Sequence, residues 1–130
     1  MDKITKTSLI HAPIERVWAA LTNAEAIASW MGSGVLSEPL PGGAYAYFEG
    51  ETTGVYTRLE PPNRLEYTWR QSNWPSEWAD SLVRWHLKQN GDETEVRLVH
   101  ENFPNEDERI GHDEGWDLYW LEPMKAWLEE

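Results

Sequence analysis

The chain contains no cysteine, so disulfide bonds, thiolate catalysis and thiolate-bound metals are excluded. It also contains no apolar run near the roughly 20 residues that cross a bilayer as a helix. Residues 1–18 lack the apolar core of a secretion signal. These absences predict a cytoplasmic protein that does not insert into membranes.

Positive charge is scarce as well. The sequence has 11 Lys and Arg against 23 Asp and Glu, which gives a net charge of −12 at pH 7 with His neutral. A surface of this sign repels phosphate backbones and anionic lipid headgroups, so we expect neither a nucleic acid partner nor a membrane partner. Repulsion between like-charged copies also argues against loose self-association, which predicts a monomer.

Tryptophan, by contrast, is abundant, with nine residues in a chain of 130. Each indole ring can bury roughly 150–250 Å² of surface. The length predicts one domain over residues 1–130, and the core of such a domain rarely needs so much bulky aromatic surface. The excess predicts that some of the rings line a cavity.

The first part of the chain predicts a strand followed by two short helices. β-branched residues alternate over residues 3–11, as in a strand, and residues 12–30 follow a helical pattern. Pro13 occupies the first turn of the first helix, and Asn23 can cap the second one. The apolar stripe of the first helix, which we expect in the core, comprises Ile14, Val17, Trp18 and Leu21.

From residue 35 onward, turn signals separate short alternating segments, which predicts an antiparallel meander. The segments are 44–49, 54–60, 64–69, 81–88 and 94–100, with 34–38 as a further candidate. One face of these strands is apolar and aromatic and the other is mostly charged, as in a sheet packed on one side only. Asn90 and Gly91 predict a tight hairpin between the last two strands.

A long amphipathic helix over residues 113–129 is predicted to cover the apolar face of the sheet. Its apolar stripe carries Trp116, Trp120 and Trp127. Pro123 interrupts the helix, because proline lacks the N–H that would bond the Tyr119 carbonyl and its ring crowds that group. The helix should loosen there, either to follow a curved sheet or to act as a hinge.

Five segments in this order resemble the bacterial domains named after the activator of the ninety-kilodalton heat-shock chaperone's ATPase. They are APIERVWAALTNAEAIASW (12–30), PGGAYAY (41–47), GVYTRLEPPNRLEYTW (54–69), TEVRLVHENF (94–103) and GHDEGWDLYWLEPMKAWL (111–128). Those domains belong to the helix-grip superfamily, together with START lipid-transfer domains and birch-pollen-allergen-like proteins. The resemblance covers residues 4 to 128.

The resemblance implies an α+β fold of the helix-grip type. A curved antiparallel sheet of six to seven strands wraps around a long C-terminal helix, and two short helices follow the first strand. Such domains often keep a hydrophobic cavity between sheet and helix. The resemblance brings no shared catalytic signature, and no cofactor is expected.

The candidate ligand-binding residues are those that the pattern turns toward the gap between sheet and helix. They are Trp30, Tyr47, Tyr67, Trp69, Trp85, His100, Trp116 and Trp120. Plain core packing is the alternative for the aromatic ones. His100 shares the inner face with Val96 and Leu98, where it could donate to a ligand or act as a base. The alternative is a buried histidine with satisfied hydrogen bonds.

Other polar and aromatic residues allow only general predictions. His112 favours a cap or a packing contact over a metal site, since zinc needs three or four clustered ligands. The carboxylates between residues 106 and 114 predict solvated surface or a mobile lid. Trp74 and Trp78 lie in a loop broken by proline, where partial exposure is expected. No catalytic or metal-binding residue is assigned.

Three functions are compatible with these residues. The first is binding of a small hydrophobic molecule, for which the resemblance suggests lipid-, flavonoid- or polyketide-like ligands and a role in stress response. The second is a cyclase-, hydrolase- or dehydratase-type enzyme that uses His100 with Tyr47 or Tyr67. The third is a co-chaperone-like interaction module. Binding ranks first, because the sequence shows no catalytic constellation.

Overall fold

The computed structural model describes residues 3–130. Its strands and helices in chain order are β1 (Ile4–Ile10), α1 (Ile14–Thr22), α2 (Ala24–Met31), β2 (Leu36–Ser37), β3 (Ala44–Tyr47), β4 (Thr52–Glu60), β5 (Arg64–Gln71), β6 (Ser81–Asn90), β7 (Glu93–Glu101), α3 (Glu106–Trp116) and α4 (Glu122–Leu128). A 3₁₀ turn at Phe48–Gly50 joins β3 to β4, and a π-helical turn at Asp117–Leu121 joins α3 to α4. Helix α3, the π-turn and α4 are together called the C-terminal helix.

All seven of these strands belong to one antiparallel sheet with the order β1-β7-β6-β5-β4-β3-β2. The first strand therefore pairs with the last. This confirms the predicted α+β helix-grip fold, with its curved sheet against a long C-terminal helix. The candidate strand at 34–38 is present as the two-residue β2, which makes the sheet seven-stranded.

The inner face of the sheet carries the predicted apolar pattern. Buried positions alternate with more exposed ones along β5, β6 and β7. From the other side, the C-terminal helix presents five side chains that are each at most 7% exposed, namely Trp116, Trp120, Leu121, Met124 and Leu128. Burying one large apolar side chain contributes about 1.5–3 kcal/mol, so this contact between helix and sheet stabilises the fold strongly.

Helices α1 and α2 lie close to the predicted segment 12–30, but the structure places Pro13 outside the first helical turn. Pro13 precedes α1, and the Asn23 side chain accepts a hydrogen bond from the Ala26 N–H at 2.9 Å, which caps α2. The Trp30 indole donates to the Ala20 carbonyl at 2.9 Å and so ties the two helices together. Trp18 packs against the core but is only partly buried.

The hairpin between β6 and β7 is shifted by one residue from the predicted turn. Asn90 pairs with Glu93, so the two loop residues are Gly91 and Asp92 rather than Asn90 and Gly91. Gly91 has a φ of 63°, which suits the first loop position of a type II′ turn, where glycine is preferred.

The connection between β3 and β4 also departs from the prediction. Phe48 and Glu49 have φ angles of 53° and 57°, in the left-handed region that residues other than glycine rarely adopt. The strand predicted over 44–49 therefore ends at Tyr47, and β4 begins at Thr52 instead of residue 54.

The C-terminal helix begins seven residues earlier than predicted, at Glu106 rather than at 113. The missed signal is Asn105, whose side chain accepts a hydrogen bond from the Glu108 N–H at 2.9 Å and caps the helix. Acidic residues in the first turn also suit the positive end of the helix dipole. The carboxylates between residues 106 and 114, for which solvated surface or a mobile lid was predicted, thus lie on a helix.

The helix loosens one turn before Pro123. The Glu122 N–H bonds the Asp117 carbonyl, five residues back instead of four. Because Pro123 has no N–H to donate, this wider turn accommodates the proline without ending the helix. Such π-turns are frequent at functional sites, and this one lies beside the cleft described next.

Candidate functional site

A cleft of about 510 Å³ opens between the β3–β4 connection and the first half of the C-terminal helix. Its lining residues form three groups: an aromatic floor, a helical wall that contains two glycines, and a polar rim. The cleft lies at the end of the sheet where β4 begins and β5 ends.

The floor consists of three tryptophans. Trp69 projects from β5, and Trp116 and Trp120 project from the C-terminal helix. Their ring centroids lie 4.9–6.0 Å apart, and each residue is only 2–4% exposed. The three rings therefore form a closed surface. A ligand in the cleft would lie on this floor and not beneath it.

Two of the three floor indoles donate their N–H groups to histidines. Trp116 donates to His100 Nδ1 at 3.0 Å, and Trp69 donates to His112 Nε2 at 3.2 Å. His112 Nδ1 in turn lies 2.7 Å from the Glu108 carbonyl, to which it donates. Within residues 3–130, the Trp120 indole N–H has no hydrogen-bond partner. The floor thus offers ring surface and one free donor.

The wall of the cleft is unusually open for a helix surface. Gly111 and Gly115 are spaced by four residues, so they lie on the same face, with Tyr119 one turn further on. A Cβ atom at Gly111 would meet nothing within 4 Å, and one at Gly115 would meet only Tyr119 Cδ2 at 3.8 Å. Phe48 and the 63% exposed Tyr119 complete the aromatic lining.

The rim of the cleft carries carboxylates and amides. Glu51, Asp107 and Glu108 line it, and none of its lining residues is a lysine or an arginine. Thr52 Oγ1 donates to Gln71 Oε1 at 2.6 Å. Glu51 and Asp107 are both exposed.

Trp74 supports the rim from outside. The prediction that Trp74 is partly exposed is wrong, since this residue is only 6% exposed. Its indole N–H donates to Glu108 Oε1 at 2.7 Å, and its ring centroid lies 6.2 Å from those of Trp78 and His112. Trp78 is half-buried, as the sequence predicts.

The structure divides the eight candidate residues into two sets. Trp69, Trp116 and Trp120 line the cleft, whereas Trp30, Tyr47, Tyr67, Trp85 and His100 do not. The second set is buried in the interior, with exposures of 9% or less. These five residues are called the interior set below.

His100 uses both of its ring nitrogens. Because the Trp116 N–H donates to Nδ1, the proton of the neutral ring lies on Nε2, which donates to Ser81 Oγ at 2.7 Å. The Ser81 hydroxyl in turn donates a hydrogen bond to the Trp69 carbonyl at 2.9 Å. Burial, and to a lesser extent the nearby His112, holds the pKa of His100 well below its usual value. The ring is thus neutral and fully bonded.

Two residues of the interior set, Tyr47 and Tyr67, form a cluster with Tyr45 and Tyr56, in which ring centroids lie 4.5–5.9 Å apart. Burial raises the pKa of Tyr47 and Tyr67 above the usual value, so both stay protonated. The Tyr67 hydroxyl accepts from the Trp85 N–H at 2.9 Å. The Tyr47 hydroxyl makes no hydrogen bond of good geometry, although Tyr56 lies close enough to affect its pKa.

Neither a metal centre nor a membrane span is evident in residues 3–130. No three histidine or carboxylate side chains of that range converge as metal ligands. No helix in the described part of the chain is long and apolar enough to cross a bilayer.

Sequence reasoning missed several lining residues. Gly111 and Gly115 carry a detectable signal, because two glycines four residues apart in a helical pattern mark a face without side chains. The predicted helix began at residue 113, which concealed that pattern. Phe48 and Glu51 gave no signal, since their placement depends on the positive φ angles of the preceding connection.

Comparison with known proteins supplies a family. The model of the family described as Activator of Hsp90 ATPase homolog 1-like protein matches residues 11–129. The activator of 90 kDa heat shock protein ATPase homolog 1 from Mus musculus is 27% identical over 124 residues, which are 95% of this chain and 36% of that protein. Its Homo sapiens counterpart is 26% identical over the same length and shares. The chain spans about a third of the curated relatives that it matches.

Solved structures share the fold. An HSP90 activator from Plasmodium falciparum superposes with a TM-score of 0.88 at 22% identity, covering 97% of this chain and 95% of that one. CalU16 from Micromonospora echinospora has a TM-score of 0.76 at 28% identity, covering 90% and 70%. The Aha1 dimer from Colwellia psychrerythraea has a TM-score of 0.85 at 23% identity, covering 99% and 97%.

Proposed function

The chain belongs to the family of activator of Hsp90 ATPase homolog 1-like proteins, and we propose that it binds a small, flat, largely apolar molecule in the cleft. The observation that carries the proposal is the pair of glycines opposite an aromatic floor. The cleft volume of about 510 Å³ falls within the roughly 300–1,000 Å³ of small-molecule sites.

The glycines support ligand binding because packing does not require them. Glycine in the interior of a helix costs about 0.8–1.0 kcal/mol relative to alanine. Since nothing lies within 4 Å of a Cβ at Gly111, and only an ordinary contact awaits one at Gly115, alanine would fit at both. The two positions therefore keep space open at a cost in helix stability, which a ligand site would explain.

His100 is not placed to act as the base of an enzyme in this cleft. A general base needs a ring nitrogen or carboxylate within hydrogen-bond reach of the substrate. Both nitrogens of His100 are engaged by Trp116 and Ser81, and His100 does not line the cleft. The cyclase- or hydrolase-type alternative with His100, Tyr47 or Tyr67 thus lacks support from the geometry.

The test places a large side chain on the glycine wall, so that it fills the cleft. Calorimetric titration with 2-naphthalenemethanol, a neutral flat probe, should give saturable binding to the unmodified chain. Gly111→Leu should weaken it by at least about tenfold, equivalent to 1.4 kcal/mol. Ala126→Leu, at an exposed position of α4, is the matched control and should leave affinity unchanged. Equal binding by Gly111→Leu and the unmodified chain would refute the cleft as the site.

A second candidate, interaction with a ninety-kilodalton heat-shock chaperone, is favoured by one feature of the surface. Ile110, Leu118 and Tyr119 of the C-terminal helix are 56%, 50% and 63% exposed, and the mouse and human relatives are named activators of such a chaperone's ATPase. If the chain acts in this way, it should raise the chaperone's ATPase rate, and Leu118→Asp should abolish the increase. An unchanged rate with the unmodified chain would exclude this activity.

A further inference from the structure

The charges at the cleft have one sign. Three carboxylates, Glu51, Asp107 and Glu108, are among its lining residues, and no lysine or arginine is. A molecule in the cleft therefore experiences a negative potential in addition to the contacts made by its apolar surface.

In the part of the chain that the structure describes, no lysine or arginine forms an ion pair with these carboxylates. Within residues 3–130, neither Glu51 nor Asp107 forms a side-chain hydrogen bond or ion pair, and Glu108 accepts only from the neutral Trp74 indole. Arg109 pairs with Glu106, which does not line the cleft. The α3 N-terminus contributes about half a positive charge, which offsets only part of the negative charge on the rim.

The aromatic lining has the same preference. Ring faces carry the negative part of the aromatic quadrupole and attract cations. Two of the three floor indoles, Trp69 and Trp116, have their N–H groups occupied by histidines, so within residues 3–130 only the Trp120 N–H of the floor is left to donate to an anion. The carboxylates at the rim and the ring faces on the floor and wall thus both favour a cationic ligand.

We propose that the cleft binds molecules that carry a cationic group, such as an ammonium or amidinium, on a flat apolar body. The apolar body lies on Trp69, Trp116 and Trp120, and the cation points to Glu51 and Asp107 at the rim. This inference rests on the proposed function and narrows its ligand class. It disfavours fatty acids and other anionic lipids.

The test compares three probes that share a naphthalene ring and differ in charge: 2-naphthylmethylammonium, 2-naphthalenemethanol and 2-naphthoate. Calorimetric titrations at low ionic strength avoid screening of the rim charges, since the Debye length is about 30 Å at 0.01 M salt and 10 Å at 0.1 M. We expect the cation to bind on the order of tenfold more tightly than the alcohol, and the carboxylate to bind most weakly.

A pair of double variants separates the effect of the rim carboxylates on binding from the effect of the overall net charge of −12. Glu51→Gln with Asp107→Asn should reduce the preference for the cation over the alcohol to within about threefold. Glu15→Gln with Asp92→Asn removes the same charge at the opposite end of the sheet. Asp92 lies in the β6–β7 loop, and Glu15 follows Ile14, whose N–H donates to Gln89 near that loop. This control should keep the full preference.

The outcomes distinguish the two proposals. Saturable binding of all three probes with equal affinity, or an equal loss of preference in both double variants, would overturn the cationic ligand class and leave the cleft as a binding site. Failure of all three probes to bind would overturn both proposals. A preference for the cation that only the rim variant loses is the result expected here.

Discussion

Two aromatic regions of this molecule, the interior set and the cleft, lie against each other where Trp85 contacts Trp116 and Trp120. They differ in solvent exposure, hydrogen bonding and charge. The interior set, together with Tyr45 and Tyr56, is closed to solvent. Trp85 is 1% exposed and donates to Tyr67, and His100 is bonded at both nitrogens. At the cleft, Tyr119 is 63% exposed and Gly111 leaves space that no side chain fills.

This difference shows that aromatic content alone does not identify a binding site. The rings of the interior set have their polar groups largely paired and their surfaces covered, as protein cores require. The cleft instead combines ring surface with missing side chains and uncompensated charge. Of the aromatic residues singled out from the sequence, most belong to the core, and the features that define the cleft are a pair of glycines and three carboxylates.

The largest contrast should appear in stability. Trp85→Ala removes a fully buried ring and leaves the Tyr67 hydroxyl without its donor, so we expect a loss of about 3–5 kcal/mol in the free energy of unfolding. Tyr119→Ala changes an exposed side chain and should cost less than about 0.5 kcal/mol. Urea denaturation measures both. Comparable losses in the two variants would show that the interior and the cleft are not distinct regions.

The neutral His100 makes the stability of the interior depend on pH. Since the pKa of His100 is depressed in the folded state, the unfolded chain binds a proton below about pH 6.5 that the folded chain refuses. Stability should therefore fall as the pH drops below 6.5, by up to about 1.4 kcal/mol per pH unit, until the folded-state pKa is reached.

The comparison variant is His100→Gln, studied by urea denaturation between pH 7.5 and 5.5. All other titratable groups are common to both proteins, so the difference between their pH slopes reports on His100. If the variant folds poorly, the His100 ring can be followed by NMR in the unmodified chain, where its shifts should not change over this range. A ring that titrates near pH 6.5 would disprove the neutral, bonded histidine.

The smallest expected effect is a gain in stability. Gly111→Ala should stabilise the protein by up to about 1 kcal/mol, because alanine is the better helix former and its Cβ meets nothing within 4 Å. The same variant should bind the naphthalene probes no more tightly than the unmodified chain does. Thermal unfolding measures the gain. A loss of stability would mean that Gly111 serves the fold and not the cleft.

The sequence was sufficient for the fold, and it indicated three of the residues that line the candidate cleft. The alternation along β5 to β7 and the stripe of the C-terminal helix predicted which faces meet, and with them the burial of Trp69, Trp116 and Trp120. Periodicity reports burial in this way because it follows directly from strand and helix geometry. Periodicity does not indicate whether a ring on that face is covered by another side chain or borders a cleft.

The rest of the cleft depends on contacts between distant segments. Phe48 and Glu51 reach the helix only through the left-handed backbone of the β3–β4 connection. Asn105 extends the helix backward by seven residues, which carries Asp107 and Glu108 into the rim. The local sequence pattern alone gave no reason to place Glu51 beside Asp107 and Glu108.

The measurement that tests the central claim most directly is an NMR titration of the nine indole N–H signals with 2-naphthylmethylammonium. If the cleft is the binding site, the signals of Trp69, Trp116 and Trp120 should move together and saturate, while those of Trp30 and Trp85 in the interior set stay in place. Movement led by Trp30 and Trp85, or no movement at all, would contradict the claim that this protein binds its ligand in the cleft.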